Sequence, residues 1–232
     1  MSRVFQALEV PLLILVPLVL ATCAAFNVEQ AALLTMAVTA AVVVVFFAGY
    51  EASRPGLRQI MPTVVLAALA VAGRILFAAI PDFKPVTAIC ILAGIVFGKR
   101  SGFMVGAFAA LVSNFFFGQG PWTPWQMYAW GLIGYLFGCL AQTSLFEKHP
   151  KAVYVLGFLA PYLYGLLLNG WYVIGYVRPI TWVSVGAAYL AGLPLDTLHC
   201  VATLFFLLLL YAPWYKKLQR IKAKYDLRLG EV

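Results

Sequence analysis

Eight apolar runs, each near the length that crosses a bilayer as a helix, fill almost the whole of this chain. They fall at about 8–26, 31–50, 60–80, 85–98, 101–118, 126–142, 152–176 and 186–212. An unpaired peptide group in hydrocarbon costs several kcal/mol, so such runs must close their hydrogen bonds internally, as helices of roughly 20 residues. Composition agrees: 64% of residues are hydrophobic and 10% charged, leaving no stretch polar enough for a separate soluble domain. The expectation is an all-α, multi-pass membrane protein.

Charge gives that bundle an orientation. Thirteen of the sixteen Lys and Arg residues lie at Arg3, Arg54, Arg58, Lys99, Arg100, Lys148, Lys151 and a tail holding Lys216, Lys217, Arg220, Lys222, Lys224 and Arg228. Every second connection is therefore basic, as the retention of positive loops on the cytoplasmic side requires. Eight crossings then put both termini in the cytoplasm. Directly after an apolar helix, the basic tail reads as a membrane-surface anchor and not as a nucleic-acid site. The first run could pass for a signal peptide, but a second follows after only Asn27–Gln30, so a retained hairpin fits better. Cys23, Cys90, Cys139 and Cys200 fall inside helices without metal-ligand spacing, and no metal site is expected.

Polar residues change in character near residue 60. We divide the chain into an N-terminal transmembrane hairpin (1–59), a six-helix core (60–215) and a basic tail (216–232). Gly102, Gly106 and Ala110 recur every four residues, as do Gly134 and Gly138, and Ala68 with Ala72. In lipid this spacing lets helix backbones approach closely.

Depth along the helices separates the candidate chemistry. Arg74, Asn114, Asn169, Asp196 and His199 come from different core helices, apart from the last two, and all fall in the outer half. The inner half reads as nearly free of polar side chains. A polar pocket open to the exterior and closed below by apolar packing is the economical arrangement. Arg74 and Asp196 can equally pair to hold two helices together, Asn114 and Asn169 can bond between helices, and His199 can be a satisfied core histidine.

The densest segment runs Phe115-Phe116-Phe117-Gly118-Gln119-Gly120-Pro121-Trp122-Thr123-Pro124-Trp125-Gln126. Aromatics here could form an interfacial belt. Gly and Pro, however, shape turns, and Gln119, Thr123 and Gln126 alternate with Trp122 and Trp125, the mixture that lines organic-ligand pockets. Trp171, Tyr172, Tyr176, Arg178 and Trp182 supply a second aromatic-polar rim. No HExxH, GxSxG or Walker A motif occurs, and six of the eight carboxylates, Glu9 among them, lie near or beyond helix ends. The chain is read as a non-enzyme without a cofactor.

Gly73-Arg74-Ile75-Leu76-Phe77, Lys84-Pro85-Val86-Thr87-Ala88, the turn Phe97-Gly98-Lys99-Arg100-Ser101-Gly102, and the stretch Ser113–Gln126 together resemble the substrate-binding S component of energy-coupling factor (ECF) transporters. The resemblance covers roughly 60–212 and is most like the cobalamin-specific S component. It implies a six-helix S-component core, here carrying an extra N-terminal pair of transmembrane helices. It further implies vitamin capture from outside, partnership with a coupling protein and two ATPases, and delivery by toppling in the membrane. The family's AxxxA contact with the coupling protein falls on Ala68 and Ala72. Substrate-binding candidates are Arg74, Lys84, Asn114, Gln119, Trp122, Trp125, Gln126, Asn169, Trp171, Tyr172, Arg178, Asp196 and His199. A histidine near a corrinoid also suggests a bond to cobalt, which suits imidazole. The alternatives are an S component for another small vitamin or nucleobase-like compound, or a membrane interaction protein.

Overall fold

The apolar runs fold as helices in a computed structural model that describes residues 2–26, 28, 30–53 and 55–224, with side chains from Ala7 onward. The side chain of Arg3 and all of Asn27, Glu29, Arg54, Asp226, Arg228 and Glu231 lie outside the described residues. The N-terminal pair is α1 (Ser2–Ala25) and α2 (Ala31–Ala52). The core consists of α3 (Leu57–Leu76), α4 (Val86–Phe97), α5 (Lys99–Phe117), α6 (Thr123–Gln142), a one-turn α7 (Leu145–Lys148), α8 (Ala152–Tyr176) and α9 (Trp182–Lys224). Six of these helices are long and apolar enough to cross a membrane.

α4, which with α6 and α7 is not among the six, explains the architecture. It has only 12 residues, and every one is buried. It is enclosed by α3, α5, α6 and α9, so protein and not lipid surrounds it. A helix hydrophobic all round belongs in such a place. Gly98 then takes φ 92°, a left-handed conformation that glycine tolerates, and the chain turns directly into α5. Lys99 and Arg100 thus form the first turn of a helix, and not part of a loop.

α5 and α6 make the closest helix pair. A β-carbon at Gly102 would run into the backbone of Gly134 and the reverse is also true, while Gly106 faces the backbone of Trp130. The four-residue glycine spacing therefore brings these two backbones into contact, which gains dispersion attraction that lipid cannot match.

The N-terminal pair packs on the core through apolar and ionic contacts. Phe46 stacks on Phe103 at 4.1 Å, and the Tyr128 hydroxyl donates to the Leu13 carbonyl at 2.5 Å. Glu9 is 6% exposed and meets Lys99 at 2.8 Å, the Arg100 guanidinium, and the Tyr135 hydroxyl at 2.9 Å. This corrects the expectation of an apolar inner half and of a Glu9 left at a helix end. The charge needs of the basic turn reach back across 90 residues of sequence and hold α1 against the core.

α9 spans 43 residues, about 65 Å, or roughly twice the hydrocarbon thickness. Through Lys224 the basic tail is a continuation of this helix and not a separate segment.

Candidate functional site

At one end of the bundle α3, α5 and α8 finish and α4, α6 and α9 begin. Arg74, near the end of α3, donates to Ser113 Oγ at 2.5 Å and to Asn114 Oδ1 at 2.7 Å. Its guanidinium also lies 4.7 Å from the Phe117 ring centroid and 5.0 Å from that of Trp130. Aromatic faces stabilise such a cation where water is scarce. Asn114 is wholly buried and spends its remaining donors on Thr123 Oγ1 at 3.0 Å and Gln126 Oε1 at 2.8 Å. Thr123 in turn donates to Gln119 Oε1 at 2.9 Å, and Gln119 Nε2 reaches the Leu111 carbonyl at 2.9 Å. A buried amide must have its donors and acceptor satisfied, and this one joins α3, α5 and α6 in doing so.

A second layer lies beneath. The Trp130 indole donates to Thr87 Oγ1 at 3.1 Å, and Thr87 Oγ1 lies 2.8 Å from His199 Nε2. Tyr164 packs between Trp130 and His199, with ring centroids 4.8 and 5.2 Å away. His199 is thus a buried, partnered histidine whose Nε2 is engaged by Thr87.

The α3–α4 connection adds two charges above the network. Asp82 takes φ 47°, which Asp tolerates better than most residues. Burial pushes its carboxyl above the ordinary range, against the pull of Lys84 and Arg74. Burial likewise lowers the Lys84 ammonium, with Asp82 opposing and Arg74 reinforcing. The Lys84 amine donates to the Ile80 carbonyl.

Arg74 and Asp196 do not pair. Asp196 accepts from Asn169 Nδ2 at 2.9 Å, and glycines at 165 and 192 make room for the two side chains. These polar residues therefore form two clusters, Arg74–Asn114 and Asn169–Asp196. Tyr164 interacts electrostatically with both Arg74 and Asp196. The reason is local: Ser113 and Asn114 offer Arg74 neutral acceptors one helix away, and Asn169 lies directly across from Asp196.

The loop is shorter than the sequence suggested. α5 continues through Phe117 and α6 begins at Thr123, leaving Gly118–Trp122 as the connection. Trp122 packs over Gly120. Trp125 is fully buried within α6, and its indole N–H has no partner. Trp171 meets Tyr176 edge-on at 5.6 Å, Tyr172 stacks on Tyr176, and Arg178 is exposed with its guanidinium on the Val177 carbonyl. These four lie farther along α8 and its following turn than Asn169. Sequence reasoning missed Thr87, Ser113, Trp130 and Tyr164 as members of the network. The signal for Ser113 was its place beside Asn114; the aromatics looked like ordinary core.

Membrane helices that gather polar side chains at one end suit solute capture. The family model for the ECF-type riboflavin transporter, S component, matches residues 56–211. The chain belongs to that family: it is an ECF S component, a multi-pass membrane subunit that binds substrate and works with an ECF module, not an enzyme. The match supports the S-component assignment and does not extend to the cobalamin subgroup expected from the loop; α1 and α2 lie outside it. No curated protein and no solved structure matches the chain.

Proposed function

We propose that this S component captures a vitamin at the α3–α5–α6 end of the bundle and delivers it by toppling against a coupling protein. The supporting observation is the Asn114 network, which ties Arg74 to Thr123 and Gln126 beside the loop. Their partners, which include Ser113 and Gln119, are neutral groups of the protein itself, so a ligand offering carbonyl or amide edges can exchange for internal partners at little cost. Cobalamin or a related corrinoid is our first reading, because exposed Tyr172, Tyr176 and Trp182 extend the aromatic surface over a width that suits a large amphiphile. Riboflavin is the second reading, favoured by the matching family's description. Titration of purified protein with each vitamin decides between them. Cobalamin binding tighter than about 1 µM supports the first; flavin binding alone replaces it. If Asn114→Ala, Trp125→Ala and Asp196→Ala leave binding of either vitamin unchanged, the site is elsewhere.

Ala68 and Ala72 are our candidates for the coupling-protein contact. Both are exposed, on an apolar groove of about 420 Å³ that Val64, Ile75 and Phe108 also line. Ala68→Trp should abolish co-purification with the coupling module and leave vitamin affinity intact.

A further inference from the structure

A second groove, of about 510 Å³, opens at the opposite end of the bundle between α3 and α9. On α3 it follows Met61, Val65 and Leu69, and on α9 Trp214, Leu218 and Ile221. Spacings of four and four on α3, and of four and three on α9, align each set on one helix face. Leu66 is buried and forms part of the floor. Arg58 and Lys217 also line the groove; both are exposed, and neither makes an ion pair among the described residues.

From this juxtaposition we infer a binding site for one anionic phospholipid, with an acyl chain along the groove and the phosphate between Arg58 and Lys217. Length supports that occupant. Arg58 to Leu69 is a rise of eleven residue steps of helix, about 16 Å, which is half the roughly 30 Å hydrocarbon core and so one leaflet. Charge supports it too, since the mouth is cationic and the continuing helix adds Lys216, Arg220 and Lys222. Trp214 beside the mouth is a residue type that prefers the headgroup boundary. A helix of a partner protein would need its own acidic residues at the same depth; an anionic lipid supplies the charge from the bilayer itself. The site stands apart from the vitamin network and does not depend on it.

Native mass spectrometry of the full chain, released from micelles containing phosphatidylglycerol or phosphatidylcholine, tests this. The wild type should retain one phosphatidylglycerol in preference to phosphatidylcholine. Arg58→Gln with Lys217→Gln should lower its occupancy roughly tenfold, and Val65→Trp, which fills the groove, should remove it. Gel filtration and the thermal midpoint report whether each variant is folded; if the double variant is not, the Val65→Trp result decides alone. Equal retention of both lipids by the wild type overturns the site, as does undiminished phosphatidylglycerol in the folded variants. Loss of the coupling protein with phosphatidylglycerol retained would reassign the groove to protein docking.

Discussion

The Arg74 guanidinium donates to the Asn114 side-chain carbonyl at 2.7 Å, so the ends of α3 and α5 are held by a cation on a neutral amide. An ion pair would bind Arg74 more strongly and hold it there. The amide leaves the positive charge uncompensated locally, balanced at longer range by Asp82. The proposed capture site gains from this, because the cation stays responsive to whatever acceptor arrives.

Asn114→Leu keeps the branching at Cγ with a somewhat larger side chain and removes every hydrogen bond that Asn114 makes. It takes one acceptor from Arg74 and one donor each from Thr123 and Gln126, so it should cost about 2 kcal/mol or more of stability and weaken vitamin binding more than about tenfold. Asn114→Asp keeps the acceptor for Arg74, and the Thr123 hydroxyl can rotate to donate, so its thermal midpoint should stay closer to wild type. Thermal unfolding in detergent and ligand titration separate the two variants. Equal loss in both would mean that packing, and not the bonds, fixes the α3–α5 junction.

Glu9 makes the opposite choice at the other end of the bundle. It meets Lys99 and Arg100 with 8% of its side chain exposed, and the Arg100 Nη2 atom is already buried without a partner. Removing the carboxylate leaves cations without a counter-charge, so Glu9→Ala should destabilise by about 3 kcal/mol. Adding Arg100→Met should recover part of that loss, because it withdraws one stranded charge. The check is a double-mutant cycle on unfolding midpoints; additive effects would show that the hairpin is held by apolar packing alone.

The all-helical membrane class and the polar cluster around Arg74 were legible in the sequence, because lipid forces the backbone into helices and makes every charge conspicuous; the apolar inner half was not, since Glu9, Lys99 and Arg100 meet there. Arg74 and Asn114 stood out for that reason and do meet. Their partners did not stand out. Ser113 and Thr87 are small residues that a helix can satisfy on its own carbonyls, and Trp130 and Tyr164 read as core until their rings are seen on Arg74 and His199. The Arg74–Asp196 pairing failed because charge identity says nothing of azimuth: Asp196 faces Asn169 on α8. Glu9 was misjudged because a carboxylate near a helix end normally faces headgroups. Only the packing of α1 on the core places Lys99 and Arg100 above it.

Close backbone contact predicts a sharp contrast between two glycines. A β-carbon at Gly134 would collide with the Gly102 carbonyl, which cannot move without shifting α5, whereas nothing lies near one at Gly175. Gly134→Ala should destabilise by about 2 kcal/mol or more, and Gly175→Ala should be neutral or slightly stabilising. Yield of monodisperse protein and the unfolding midpoint read both. A tolerated Gly134→Ala would mean that α5 and α6 sit farther apart than the structure places them.

Asp82 gives the α3–α4 connection a pH dependence with a definite sign. Burial raises its folded carboxyl above the unfolded value of 3.8, despite Lys84 and Arg74. A group shifted upward favours the folded state below the unfolded value, and that contribution is lost as the pH rises through the folded value. At neutral pH the charged carboxylate therefore works against folding. Asp82→Asn removes the charge and keeps a residue tolerant of the left-handed backbone at φ 47°. The variant should melt at a higher temperature than wild type at pH 7, and the two curves should converge as the pH falls below about 4. Melting curves collected without ligand from pH 4 to 8 decide the sign. A variant less stable at pH 7 would show that attraction to Arg74 and Lys84 outweighs desolvation, and that Asp82 clamps the α3–α4 connection over the network.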